Sequence, residues 1–208
     1  MSECKNCACS TCAENAQIQG LCQSCYTCLK EFKSSRTINA CPKYSKASVN
    51  KIIVINGYPQ SGKSTFVKLC REINGNCVEL SVVDKVKDIA KIAGWNGIKD
   101  DKGRKFLSDI KDAMDEYDKL TLKDIDGKIA KSQGKIFFVN AREPKDIQYF
   151  VDKYGAKTVF IYKDDNKYTL NHADANVENY DYDFTIPNVG TMEYFKSLAE
   201  NFLSVIDN

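Results

Sequence analysis

An α/β fold, a parallel sheet with helices on both faces, is predicted for most of this 208-residue chain, preceded by a small cysteine-rich module. Three observations predict it. Strand-like and helix-like segments alternate from Lys51 to the C-terminus, the pattern of strands joined by helical crossovers. A glycine-containing loop joins a wholly apolar run to an amphipathic one. Eight of the ten cysteines crowd between Cys4 and Cys41, leaving only Cys70 and Cys77 in the remainder. With 43% apolar and 28% charged residues, the chain has enough for a buried core and a solvated surface, and its length suits one ordinary domain plus an accessory module.

The elements follow in order. "KIIVIN" (51–56) is a short β-branched run, as expected of a parallel strand covered on both faces. "KSTFVKLCREI" continues from the loop as a helix. "CVELSVV" reads as a second strand ending at Asp84, and "KVKDIAKIAG" as the helix after it. In "DDKGRKFLSDIKDAMDEYDKL" the residues Phe106, Leu107, Ile110, Ala113, Met114 and Tyr117 recur at helical spacing. "LKDIDGKIAKS" adds another helix. "KIFFVN" and "KTVFIYK" are strands flanking the helix "PKDIQYFVDKYG", "YDFTIP" is the last strand, and "TMEYFKSLAENFLSVI" is an amphipathic helix. Cys70 and Cys77 read as small core hydrophobes, and Trp95 as core or as a cover over a pocket.

The loop Gly57-Tyr58-Pro59-Gln60-Ser61-Gly62-Lys63-Ser64 fits G-x-x-x-x-G-K-[ST], and the strand before it and helix after it are the context that motif requires. Gly57 and Gly62 permit backbone angles and close approach that a Cβ would block. The amides around Gln60, Ser61, Gly62 and Thr65 can then form an anion-binding nest at a helix N-terminus. Lys63 would reach the β- and γ-phosphates of a nucleoside triphosphate, and the Ser64 hydroxyl would join a Mg²⁺ shell. The expected fold is therefore a P-loop NTPase-type sheet, with ATP and Mg²⁺ as ligands.

Ligands of such sheets sit beyond the carboxyl ends of the strands. Asp84 and Asn140 both fall there. Asp84 is a candidate for positioning Mg²⁺-bound water or an acceptor phosphate; a helix N-cap explains it equally well. The chain has only four arginines, Arg36, Arg71, Arg104 and Arg142. Arg104 begins the long helix and Arg142 follows a strand, so Arg104 is a candidate grip on an acceptor phosphate and Arg142 on the transferred group. A solvated helix face for Arg104, and a surface ion pair of Arg142 with Glu143 or Asp146, are the structural alternatives.

The stretches "GYPQSGKSTF", "SVVDKVKDIAKIAGWNGIKDDKGRKFLSDIKDAMDEY", "VNAREPKDI" and "ENYDYDFTIPNVGTMEYF", within residues 51–208, resemble the bacteriophage-type deoxynucleoside monophosphate kinases. The resemblance implies transfer of a phosphoryl group from ATP to a deoxynucleoside monophosphate with Mg²⁺. It also implies donor roles for Lys63 and Ser64 and roles at the transferred phosphate for Arg104 and Arg142. One departure stands out: "IFFVN" ends in Asn140, where many P-loop proteins carry a Mg²⁺-linked Asp, and Asp84 is the expected substitute. Asn188, after "YDFTIP", is a candidate base contact or a turn residue.

Residues 1–46 lie outside the resemblance. Cys4, Cys7, Cys9, Cys12, Cys22, Cys25, Cys28 and Cys41 would complete two tetrahedral Cys₄ zinc sites with nothing left over. An iron–sulfur cluster and disulfides are the competing readings. Six basic and three acidic side chains in this segment give +3. Two Zn(Cys)₄ centres, each −2, would bring it to −1, which argues against a charge-driven nucleic-acid clamp; docking a protein partner, or the kinase-like domain itself, fits better. "SKASVN" (45–50) reads as a linker to the kinase-like domain at 51–208. The chain's formal charge of +2 implies no polyanion partner. No apolar run is long enough to span a membrane, and cytoplasmic residence is expected. His172, the single histidine, sits in a polar stretch and is not needed as a base. "NKYT" at Asn166 lacks the Asp of a guanine-specific N-K-x-D signature. A nucleotide-dependent switch protein is the contrasting reading, a kinase for another small phosphorylated acceptor is a third, and a homodimer is compatible with all of them.

Overall fold

The computed structural model describes residues 49–163, 177 and 180–207. The cysteine module with its eight proposed ligands, the start of the linker, Asn166 and His172 lie outside the described residues.

Five strands, β1 (Lys51–Asn56), β2 (Cys77–Ser81), β3 (Ile136–Asn140), β4 (Lys157–Tyr162) and β5 (Phe184–Pro187), form one parallel sheet in the order β2-β3-β1-β4-β5. Six helices flank it among the described residues: α1 (Lys63–Ile73), α2 (Asp84–Ile92), α3 (Asp101–Asp118), α4 (Leu120–Ala130), α5 (Pro144–Tyr154) and α6 (Met192–Asp207). With the glycine loop leaving the central strand at its carboxyl end, this is the P-loop type of sheet that the sequence predicts.

The strand alternation builds two cores. Ile53 and Ile55 of β1 face one side with Phe66 and Val67 of α1 and Phe195, Ala199 and Phe202 of α6. Ile52 and Val54 face the other with Leu122 and Ile125 of α4 and Ile147 and Phe150 of α5. Phe66 is the hub of the first core, its ring 5.6 Å from Phe195, 5.7 Å from Phe202 and 6.4 Å from Phe138. Offset and edge-on ring pairs of this kind add to the stabilisation that apolar burial provides. Cys70 and Cys77 are buried in this core as free thiols. Burial pushes them up to about 12 and about 11, so they stay protonated at neutral pH. Among the described residues no helix is long and apolar enough to cross a membrane.

Two expectations change. The second strand ends at Ser81 rather than Asp84, because the Asp84 carboxylate accepts the Ser81 backbone N–H at 3.0 Å and turns the chain into α2. Asp84 is the first residue of α2, and the N-cap position belongs to Val83. The apolar stripe of α3 is only partly covered: Met114 is buried, whereas Phe106 is 36% and Tyr117 82% exposed. Trp95 is half-buried and donates its indole N–H to the Ile98 carbonyl at 3.0 Å. Gly103 of α3 allows that loop to approach, since a Cβ there would lie 2.2 Å from the Ile98 carbonyl oxygen.

Candidate active site

The loop between β1 and α1 is held from below. Gly57 has φ +143, and a Cβ on it would lie 2.1 Å from the Ile161 carbonyl oxygen of β4. Gly62 has φ +99, and its Cβ would strike the Asn188 side-chain nitrogen at 2.3 Å. Both glycines are thus required by conformation, and Gly57 by a backbone atom that leaves no space. Gln60 takes the left-handed region at φ 62 despite its side chain, the kind of local strain that ligand loops hold. Asn188 donates from Nδ2 to the Ser61 carbonyl at 2.9 Å and from its backbone to the Tyr162 carbonyl at 2.7 Å. Its place in the fold is therefore a prop under the loop. Asn56, fully buried, accepts the Gly57 N–H at 2.8 Å and donates to the Tyr182 hydroxyl at 2.7 Å and the Arg142 carbonyl at 3.4 Å. The loop is thereby tied to the exit of β3 and to the segment that leads into β5. The first bond of α1 runs from the Phe66 N–H to the Gly62 carbonyl at 2.9 Å. The amides of Lys63, Ser64 and Thr65 belong to the helix's first turn, which has no intrahelical acceptors and carries the positive end of the dipole. Lys63 Nζ sits within the loop's curve, 2.6 Å from the carbonyls of both Gly57 and Tyr58.

In front of the loop opens a cleft of about 780 Å³. It brings together Lys63, Ser64, Asp84, Arg104 and Arg142, the side chains singled out in the sequence for donor and acceptor roles. The same cleft contains Lys87 of α2 and Lys99 of the α2–α3 loop, which sequence reasoning missed among the many lysines. Burial and then the charges of Lys87, Arg142 and Arg104, all lining the same cleft, push the Lys99 ammonium down. Arg104 is exposed and donates from Nε to the Lys99 carbonyl at 2.9 Å, which fixes the guanidinium base. Asp84 also pairs with Lys87 at 3.2 Å.

A largely buried charge cluster lies beside the cleft. Lys111 of α3 bridges Asp115 at 2.9 Å and both Glu143 and Asp146 at 3.2 Å. Burial alone would lower its ammonium, but Asp146, Asp115 and Glu143 outweigh that and push it up. Glu143 also pairs with Lys145 at 2.9 Å. The carboxylates beside Arg142 in sequence are thus shared with these two lysines.

Sequence reasoning also missed Glu79. Its Oε1 accepts the Ser64 hydroxyl at 2.9 Å and the Asn140 amide at 2.9 Å. The available signal was a carboxylate inside "CVELS", a strand of a sheet expected to carry helices on both faces, where a charge needs a reason. The β2–β3 register, which pairs Glu79 with Phe138 and Ser81 with Asn140, is what delivers it to the loop.

No family model matches the chain, and no curated protein matches it. Among solved structures, dephospho-CoA kinase from Campylobacter jejuni is 19% identical, over 76% of this chain and 97% of its own, with a TM-score of 0.41. The tunicamycin resistance protein of Deinococcus radiodurans is 13% identical over 76% and 95%, at a TM-score of 0.48. Shikimate kinase from Aquifex aeolicus is 15% identical over 76% and 97%, at 0.43. At such identities and TM-scores these neighbours decide nothing about the chemistry of this chain, which is read from its own cleft.

Proposed function

We propose that this chain transfers the γ-phosphoryl group of ATP to a nucleoside monophosphate, a deoxynucleotide by its resemblance, giving the diphosphate. One observation carries the reading: a single cleft joins the phosphate-binding loop to Lys87, Lys99, Arg104 and Arg142, which come from α2, the α2–α3 loop, α3 and the β3–α5 junction. Two polyanions meeting end to end need such an arrangement, because most of the catalysis of phosphoryl transfer is positioning and neutralisation of charge.

In this reading the loop amides and Lys63 hold the triphosphate. Arg104, with its Nε anchored on Lys99, grips the acceptor phosphate, and Arg142 steadies the group in flight. A phosphate acceptor is already ionised, so no general base is required. The donor set of Ser64 with a nearby carboxylate suits Mg²⁺, which takes oxygen ligands and when bound would neutralise the β- and γ-oxygens. In the same proposal the eight cysteines of residues 1–46 would hold two structural zinc ions, and this module would recruit a protein partner; elemental analysis separates zinc from iron. Cytoplasmic residence fits such a substrate.

The test is a panel of common monophosphates incubated with Mg-ATP and the purified chain, with diphosphate formation followed. Turnover of one or two of them is expected, and Lys63→Ala should lower it by about 10²–10³-fold, the usual loss of one transition-state donor. Slow ATP hydrolysis unchanged by every acceptor would replace this reading with a nucleotide-dependent switch. Turnover only of a different phosphorylated small molecule would keep the chemistry and change the acceptor.

A further inference from the structure

The geometry points to Glu79 as the carboxylate of the divalent-cation site, with Ser64 as its partner on the loop and Asn140 as the residue that orients it. This rests on the loop's binding a metal–nucleotide complex, and not on which acceptor is used.

Four observations converge. A serine hydroxyl that lends a lone pair to a cation must point its proton elsewhere, and the Ser64 proton is directed at Glu79 Oε1 at 2.9 Å. The end of β3 offers a neutral amide at Asn140, which cannot balance a divalent charge. Asn140 donates instead to the same Oε1 at 2.9 Å and to the Leu80 carbonyl at 3.4 Å, pinning the Glu79 carboxylate against the loop. Both bonds fall on one oxygen and both come from neutral groups, and among the described residues no salt bridge reaches Glu79. The alternative, Asp84, divides its charge between the Lys87 ammonium at 3.2 Å and the Ser81 amide at 3.0 Å. Of these two carboxylates, Glu79 is the one that makes no salt bridge among the described residues and touches the loop. Mg²⁺ sheds water reluctantly and is held in phosphate sites by one or two carboxylates besides the phosphates. Glu79 fits that need either directly or through a bound water.

ATP affinity of the full chain would be measured by calorimetry with excess Mg²⁺ and again with EDTA, for the wild type, Glu79→Gln and Asp84→Asn. Glu79→Gln keeps an oxygen to receive Ser64 and Asn140 while removing the charge. The gain in ATP affinity that Mg²⁺ confers should shrink by ~10–100-fold in Glu79→Gln, the usual loss when a supporting ligand of a metal is changed. Metal-free ATP should bind this variant as well as or better than the wild type, since a negative charge has left the triphosphate's surroundings. Asp84→Asn should keep the Mg²⁺ dependence. Retention of that dependence in Glu79→Gln with loss in Asp84→Asn overturns the assignment and leaves the nucleotide reading intact. A wild type that binds no ATP in either condition overturns both. Should Glu79→Gln not fold, Glu79→Asp, which shortens the side chain at constant charge, is expected to weaken Mn²⁺ binding, seen by electron paramagnetic resonance with ATP present. Unchanged Mn²⁺ affinity in that variant would equally sink the assignment.

Discussion

Gly57 shows how much one position can decide. Its φ of +143 lies where L side chains rarely go, and the atom that a Cβ would meet at 2.1 Å is a backbone oxygen of β4, which cannot swing aside. Gly57→Ala should therefore destabilise the domain by more than about 1 kcal/mol and weaken ATP binding along with it. Gly75, in the α1–β2 turn, has nothing within 4 Å of its Cβ position and no positive φ, so Gly75→Ala should be close to neutral. Urea midpoints of the two variants measure the contrast, and equal losses would contradict it. The loop was legible in the sequence because its chemistry is local: each residue acts through its own backbone or through the next turn. Glu79 was not legible, because its role arises from a partner 15 residues away and another 61 away, joined by strand register. Asn188 acts at greater separation still, 127 residues from Ser61.

Among the elements, α3 carries Arg104 and must be held against the β3–α5 junction that carries Arg142. Lys111 does this, reaching from α3 to Glu143 and Asp146 while bracing Asp115 on its own helix. Replacing it with methionine keeps most of the packing but leaves a carboxylate 3% exposed, Asp146, with no counter-charge at that position. Breaking a buried pair from one side costs about 3–5 kcal/mol. Lys111→Met should lose stability of that order and, where it still folds, raise the acceptor KM more than the ATP KM. Lys111→Arg should restore part of both. Steady-state kinetics alongside denaturant melts would separate the effects, and an equal rise in both KM values would count against the clamp. The elements themselves were readable where the pattern was strong: α1 matches the expected "KSTFVKLCREI" end to end. The β2 boundary was misplaced because Val82 and Val83 prolong the apolar run. The turn is made by a side chain, the Asp84 carboxylate, rather than by a glycine or proline. The exposure of Phe106 and Tyr117 on α3 was not legible, since spacing shows which residues share a face but not what covers it.

At the scale of the whole molecule, acid stability follows from how the carboxylates are used. Burial would raise Asp126 of α4, but hydrogen bonds from Lys153, Tyr149 and Tyr154 of α5 outweigh it and hold its carboxyl below the ordinary aspartate value of 3.8. The distances are 2.5, 2.5 and 2.7 Å. Asp115 and Asp183 are depressed in the same way, against burial, by hydrogen bonds from Thr121 and Lys111 and from Thr158, with Lys157 adding to the second. Asp146 goes the opposite way, raised by burial, and so offsets part of the effect. A group whose folded pKa is depressed binds its proton more weakly in the native state, so its stabilisation is present in full above the unfolded pKa and is lost as pH falls through the folded one. The molecule should therefore hold its stability down to about pH 4, the ordinary aspartate range, and lose it steeply below. Asp126→Asn isolates one contribution. At pH 7 it should cost about 1.5–3 kcal/mol, the range for hydrogen bonds to a charged group, and its deficit against the wild type should close as pH falls from 5 towards 2.5. Urea midpoints at a series of pH values give the two curves. If they run parallel through that window, the link between α4 and α5 does not depend on the Asp126 charge, and the acid limit has to come from Asp115 and Asp183 instead.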